Sequence, residues 1–304
     1  MTLRIGVIGS GGFGRAIAAA SARNQHDVVL YSRNPHSLPE PIVATTDLAD
    51  LRDRELVFIA TPSQYAEDIA TALGDHVDGR HLIVHVSRGL VGEELKLITT
   101  ILPERTAARR LGALAGPLVA DALAEGAIIG TAFPEVSAAV REAIGGDALR
   151  IYETRDVAGV QLASATVGLF TILLGFVTEQ GTDPGTIAML AIRGMVEVSR
   201  IGETFGAKRE TFLGLAGLGD LIAAVAGDQR PEYRLGQAIA RGADLTRATA
   251  EVGANVEGIQ VARNLIAHAQ ALGVATSIFV SVLDGEMTAE DALDALMNRP
   301  VGME

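Results

Sequence analysis

Three glycines in Gly9-Ser10-Gly11-Gly12-Phe13-Gly14 stand at the GxGxxG spacing, and this run carries the clearest chemistry in the chain. An apolar run containing Ile5, Val7 and Ile8 leads into it, and the alanine-rich stretch Arg15–Ala22 follows. A strand, a glycine turn and a helix in that order form a cradle for the pyrophosphate of a dinucleotide. The first glycine allows the tight turn and the second lets main chain approach the phosphates. The third brings helix close to strand, so that the free N–H groups of the helix N-terminus face the anion. A glycine-rich turn with no ligand is the competing reading. Ser32 and Arg33 close the next apolar run. An acidic residue there would hold ribose hydroxyls, whereas arginine accommodates a 2′-phosphate. The expected cofactor is NADP or NAD, with NADP slightly favoured; the alternative for Arg33 is a solvated loop charge.

Other residues could act on a substrate. Asp220 follows the glycine-rich Gly214–Gly219. It reads as an acid/base or an anchor for a cationic substrate, or else as a helix cap. His85 ends an apolar run beside Ser87-Arg88; it is a candidate proton donor, or a buried histidine satisfied by main chain. Arg193 and Arg234 could add positive charge to a cleft or serve as solvated groups. His26, His36, His76, His81 and His268 fall in loop or helix-face contexts. No spacing suggests a metal site, cysteine is absent and there is no Gly-x-Ser-x-Gly elbow.

The elements that must position these residues follow from the apolar pattern. The 304 residues are 48% hydrophobic and 20% charged, enough for a large core in two domains. A net charge of −12 argues against nucleic acid or an anionic membrane as partner. With no cysteine, and a strand so near the N-terminus that no signal peptide is expected, the chain reads as a cytoplasmic enzyme. Strands are predicted at Val28–Tyr31, Leu56–Ala60, His81–Val86, Leu111–Ala115, Ala127–Ala132 and Ala148–Tyr152, with Thr61-Pro62-Ser63 capping a helix. From Ala158 to Met297 the periodicity is helical, broken at Gly181–Gly185, Gly214–Asp220 and Gly227–Pro231. The fold class is therefore α/β: a doubly wound Rossmann domain over 1–155, then an all-helical domain over 156–304. Val160–Val177 is strongly apolar but interrupted by polar residues, and reads as a buried central helix rather than a membrane span.

Several ordered segments resemble the bacterial NAD(P)-dependent glycerol-3-phosphate dehydrogenases over essentially the whole chain. They are GSGGFG at Gly9–Gly14, ATPS at Ala60–Ser63, AGP at Ala115–Pro117 and GVQL at Gly159–Leu162. IRGMVEVSRIGETFGA at Ile192–Ala207, TFLGLAGLGDLI at Thr211–Ile222, VEG at Val256–Gly258 and DALDALMNRP at Asp291–Pro300 continue the series. The resemblance implies a helical domain of the 6-phosphogluconate dehydrogenase type and a substrate cleft between the domains. It also implies that Ala120 and Glu257 line the nucleotide cleft and that Asp220 points into the substrate cleft. A homodimer, as is typical of the family, is expected from the apolar helical half.

The same resemblance exposes departures. The family's lysine and asparagine past the domain boundary fall on Val167 and Gly168, and the lysine of its KG turn falls on Arg88. The chain's two lysines, Lys96 and Lys208, lie in stretches read as exposed. The family's phosphate-anchoring Ser-Arg-Asn run falls on Arg230, Pro231 and Glu232, and its serine-bearing strip on Gly116-Pro117-Leu118-Val119-Ala120. Arg88, Gly116, Val167, Asp220 and Arg230 are thus the expected substrate contacts, and Arg88, standing where the family's lysine lies near both cofactor and substrate, is an expected cofactor contact as well. The default activity is hydride transfer with glycerol 3-phosphate and dihydroxyacetone phosphate as the substrate pair. The alternatives are a diverged reductase for another, non-phosphorylated carbonyl or imine, and an inactive nucleotide-binding protein.

Overall fold

The computed structural model describes residues 2–34, 37–117, 125–226, 230–253, 256–271, 286–287 and 291. The first half alternates strand and helix: β1 (Arg4–Ile8), α1 (Gly12–Arg23), β2 (Asp27–Tyr31), β3 (Val43–Thr45), β4 (Leu56–Ile59), α2 (Ala66–Leu73), β5 (Leu82–His85) and α3 (Ile98–Arg105). β6 (Arg110–Ala115), β7 (Glu125–Thr131), α4 (Pro134–Ile144) and β8 (Leu149–Thr154) complete it. The strands form one sheet in the order β3-β2-β1-β4-β5-β6-β7-β8. All neighbours are parallel except β6 and β7, where Gly112 pairs with Thr131 and Ala115 with Ile128 in antiparallel register. Wholly apolar strands such as β4 (LVFI, buried throughout) fit a sheet covered on both faces. The chain order reverses between β1 and β4, and a ligand of such a sheet lies at the carboxyl ends of the strands there.

The short strand β3 is absent from the expected series. It is an edge strand of three residues with Val43 exposed, so it leaves no apolar signature. The turn at Thr61-Pro62-Ser63 also differs from the expected cap: a 3-10 turn spans Ser63–Tyr65 and no side chain caps it. The Ser63 hydroxyl is engaged elsewhere, as described below.

The second half is helical: α5 (Val157–Glu179), α6 (Pro184–Thr204), α7 (Arg209–Phe212), α8 (Asp220–Ala226), α9 (Pro231–Ala240), α10 (Leu245–Val252) and α11 (Glu257–Ala271). Each break has a local cause. Asp183 accepts from the amides of Gly185 and Thr186 and Pro184 takes the first helical position, so α6 starts there. The glycine-rich stretch before Asp220 is a π-helical turn, Leu215–Gly219, rather than a plain break. Of the motif at 291–300, only Asp291 is described.

Helix α5 is the axle of this half. It has a window of mean hydropathy 1.9 that is 94% buried, as expected of a core helix. Its start is pinned by Asp156, whose carboxylate accepts from the Gly159 amide at 2.9 Å, the Lys208 amide at 2.8 Å and the Thr211 hydroxyl at 2.5 Å. Main chain meets main chain along its length. A Cβ on Gly175 would lie 2.2 Å from the Tyr233 carbonyl oxygen, and one on Gly236 would lie 2.0 Å from that of Ile172. The helices α5 and α9 therefore pack closer than side chains would allow.

Gly236→Ala should cost about 2–3 kcal/mol of stability, because the neighbour is backbone and cannot step aside. Urea midpoints compare it with Gly146→Ala, whose Cβ meets nothing within 4 Å. Equal midpoints for the two variants would refute this packing.

Candidate active site

Five loops at the carboxyl ends of β1, β2, β4, β5 and β6 carry the expected functional residues, and the amino ends of α8, α9 and α11 face them. The glycine turn is built as its spacing requires. Gly9 has φ +111°, and a Cβ there would sit 2.5 Å from the Ala60 carbonyl oxygen. A Cβ on Gly14 would sit 1.8 Å from the Gly9 carbonyl oxygen. Gly11 differs, since a Cβ there meets nothing within 4 Å. Gly9 and Gly14 thus serve the fold, while Gly11 leaves open space where a phosphate would approach. No side chain caps α1, so the amides after Gly11 face that space. This cradle fits a dinucleotide pyrophosphate.

At the end of β2 the Ser32 hydroxyl lies 3.0 Å from that of Ser10, joining the second loop to the first. Arg33 is exposed, and its guanidinium lies 5.2 Å from the centre of the Tyr65 ring. That contact holds the cation beside the groove where a ribose phosphate would lie.

Arg88, on the loop after β5, joins the two halves. Its Nη1 donates to Asp220 Oδ2 at 2.6 Å, and its Nη2 reaches Asp220 Oδ1 at 3.3 Å and the Gly116 carbonyl at 3.5 Å. The guanidinium also lies 5.6 Å from the centre of the Phe13 ring, on the glycine turn. Arg230 Nη2 donates to Asp220 Oδ1 at 2.5 Å. Asp220 has no exposed side-chain surface, whereas the Arg88 and Arg230 side chains are 21% and 15% exposed. Both carboxylate oxygens are thereby occupied. Asp220 is built to hold arginines, which leaves it poorly placed as an acid/base or as an anchor for a cationic substrate. Burial, and next the Arg88 charge, make the Arg230 cation less favourable, while Asp220 and Glu232 support it.

The Glu232 Cγ would lie 3.7 Å from a Cβ on Gly168, and that same Cβ would lie 3.2 Å from the Gly258 Cα. A side chain at 168 therefore meets the main chain of α11. Val167 is fully buried in the helical core and exposes nothing to the cleft. Lys208 is exposed, and Lys96 is half-exposed and paired with Glu94. Glu257 does not lie free: its Oε1 accepts from the amide and the hydroxyl of Ser63, both at 2.5 Å. This clasp ties α11 to the loop after β4. A Cβ on Gly89 would collide with the Ser63 hydroxyl and lie 3.0 Å from Glu257 Oε1, so only glycine fits beside it.

His85 is buried. Its Nε2 donates to Gln161 Oε1 at 2.9 Å, and Gln161 in turn donates to the Thr99 hydroxyl. Burial, outweighing that hydrogen bond, pushes its pKa down to about 4. The ring is neutral at physiological pH and serves the packing of β5 on α5. Arg193 is half-buried and Arg234 exposed, and neither has a hydrogen bond to the cluster among the described residues. Ala120, Leu118 and Val119 lie outside the described residues, as does His36. Among the described residues no group of His, Asp and Glu could hold a metal ion. The Phe13–Arg88, Tyr65–Arg33 and Ser63–Glu257 contacts went unread because each pairs residues from separate motifs.

Two outcomes follow from this geometry. Gly11→Ala should keep the melting temperature and weaken NADPH binding at least tenfold, whereas Gly14→Ala should lower the melting temperature. Fluorescence titration and thermal unfolding read both, and unchanged NADPH affinity in Gly11→Ala would refute the cradle. The second concerns pH. An unfolded histidine takes a proton below about pH 6.5, but native His85 does so only near pH 4. Stability should fall as pH drops through that window and stay level above it, by about 2 kcal/mol at pH 5. Urea unfolding at pH 5 and 7.5 should show this loss in the wild type and not in His85→Asn.

Comparison with known proteins identifies the family. Residues 34–136 match the model of the NAD-dependent glycerol-3-phosphate dehydrogenase N-terminus, and residues 156–294 that of its C-terminus. The glycerol-3-phosphate dehydrogenase of Azotobacter vinelandii is 31% identical over 322 residues, covering 96% of this chain and 94% of that one. That of Bradyrhizobium sp. is 31% identical over 324 residues, covering 99% and 98%. The solved structure of the Coxiella burnetii enzyme superposes with a TM-score of 0.91 at 23% identity, covering 98% of this chain and 99% of that one. A ketopantoate reductase of Ralstonia eutropha shares the fold more distantly, with a TM-score of 0.61 at 14% identity over 97% and 99% of the chains. The chain belongs to the NAD-dependent glycerol-3-phosphate dehydrogenase family.

Proposed function

We propose that the chain is an NAD(P)-dependent oxidoreductase acting on a small hydroxy or carbonyl compound, with sn-glycerol 3-phosphate and dihydroxyacetone phosphate as the default pair. The observation that carries this is the buried Asp220, which draws Arg88 and Arg230 together beside the glycine turn. The cofactor, when bound, supplies or takes the hydride. The open face at Gly11 and the first amides of α1 would hold its pyrophosphate, and Ser32 and Arg33 its adenosine end. Arg33 supports NADP slightly over NAD. Residues 1–155 form the cofactor domain and residues 156–304 the substrate and dimerisation domain in this reading. The two arginines give the cleft a positive field that favours an anionic substrate. The absence of cysteine, the net charge of −12 and the buried α5 support a cytoplasmic protein, and its likeness to the family supports a homodimer as its assembly.

A second substrate reading has its own support. Val167 is buried where the family keeps a lysine, and Glu232 lies against Gly168 near the expected phosphate position. A carboxylate there opposes a dianionic phosphate. This favours a diverged reductase for a less charged carbonyl or an imine.

Steady-state NADPH oxidation with dihydroxyacetone phosphate tests both readings. The wild type should turn over at a rate lowered about 10²-fold by the missing acid. Val167→Lys should bring no gain, because its ammonium would enter a dry core. Tight NADPH binding without turnover would refute the default pair in favour of the second reading. Failure with every carbonyl and imine tried would leave a nucleotide-binding protein without catalysis.

A further inference from the structure

Hydride addition to a carbonyl places negative charge on the oxygen, so the site needs a positive group there and a source for one proton. Few side chains among the described residues can serve. Lys96 is paired with Glu94 on a half-exposed loop, and Lys208 is exposed at the start of α7. His85 is buried, neutral and tied to Gln161. Both oxygens of Asp220 are taken by arginine. Val167 offers only methyl groups.

Arg88 and Arg230 remain, and their places differ. Arg230 stands in the helical half, at the start of α9, where it donates to Asp220 Oδ1. Arg88 stands on the loop after β5, two strands past β1 and beyond the point where strand order reverses. It lies against Phe13 of the glycine turn, and Gly116 and both oxygens of Asp220 fix its plane. The half of a dinucleotide beyond the reversal would follow these carboxyl ends, and of the two arginines Arg88 is the one that stands on them.

We propose that Arg88 is the electrophile that polarises the substrate oxygen, with Asp220 as its positioning residue and water as the proton source. The assignment rests on the hydride-transfer reading given above. The carbonyl carbon receives the hydride and the π pair moves onto oxygen beside the Arg88 guanidinium. That oxygen takes a proton from water, so one NADPH is oxidised and one proton consumed per carbonyl reduced. A guanidinium keeps its charge across the working pH range and does not itself donate the proton.

Among the described residues, the charged and titratable groups around Arg88 include Asp220 on α8, Arg230 at the start of α9 with Glu232 beside it, Glu257 at the start of α11 and His85 on its own strand. None of these is an amine. The pH profile of kcat/KM with NADPH and dihydroxyacetone phosphate should therefore be level from about pH 7 to 10. Arg88→Lys should keep part of the activity and acquire a basic limb, falling tenfold per pH unit once its ammonium loses a proton. Arg88→Met should lose about 10²–10³-fold in kcat, with NADPH affinity by fluorescence titration within threefold of wild type and a cooperative melt. A basic limb in the wild type as steep as that of Arg88→Lys would overturn the assignment, as would Arg88→Met retaining a third or more of kcat. Failure of all three proteins to turn over dihydroxyacetone phosphate, with NADPH bound, would overturn the hydride-transfer reading for that substrate and the assignment with it.

Discussion

The close approach of α5 to its neighbours governs what the site can contain. Gly175 and Gly236 let α5 and α9 touch main chain to main chain, and Gly168 does the same with Gly258 on α11. At such contacts there is no room for a side chain, and the cost of adding one falls on rigid backbone. The positions where the family carries a lysine and an asparagine are therefore structural here. Val167 belongs to the core, and Gly168 is the point where α11 rests. The amino end of α11 is held from the other side by Ser63, through Glu257. The same helix thus joins the core axle to the loop after β4.

Within that frame the electrostatics of the cleft reduce to one buried carboxylate and the cations it holds. An isolated Asp220 with no exposed surface would be costly, and two guanidinium groups offset that cost. The reverse also holds, since two arginines could not approach so closely without the carboxylate between them. Arg230 shows the strain in the arrangement, being disfavoured as a cation by its own burial and by Arg88. Such an arrangement gains from a further anion at its exposed edge.

Much of the fold was legible in the chain because period and punctuation agree there. The apolar runs, the glycine turn and the Asp-Pro start of α6 each have a local physical cause. β3 was not, being an edge strand of three residues, two of them exposed, held by pairing with β2. The glycine turn was legible down to the different packing of its three spaced glycines. The reaction side was legible only as a set of departures. That Val167 is core, that Asp220 is saturated by arginines and that Glu257 holds Ser63 depend on residues from distant segments meeting. Asp220 shows the limit most clearly: its residue type suggested proton transfer, and its two partners, 132 and 10 residues away, decide against that.

The replacement of amine by guanidinium has a chemical consequence of its own. A primary amine beside a ketone or aldehyde can condense with it, lose water and become trapped as a Schiff base, and acetyl donors can neutralise it. Guanidinium nitrogens share their lone pairs across the whole group and are far weaker nucleophiles. With Lys96 and Lys208 both on the outside, the cations proposed to meet the carbonyl form no Schiff base with a simple ketone or aldehyde. A simple ketone or aldehyde held there meets no amine on which it could be trapped.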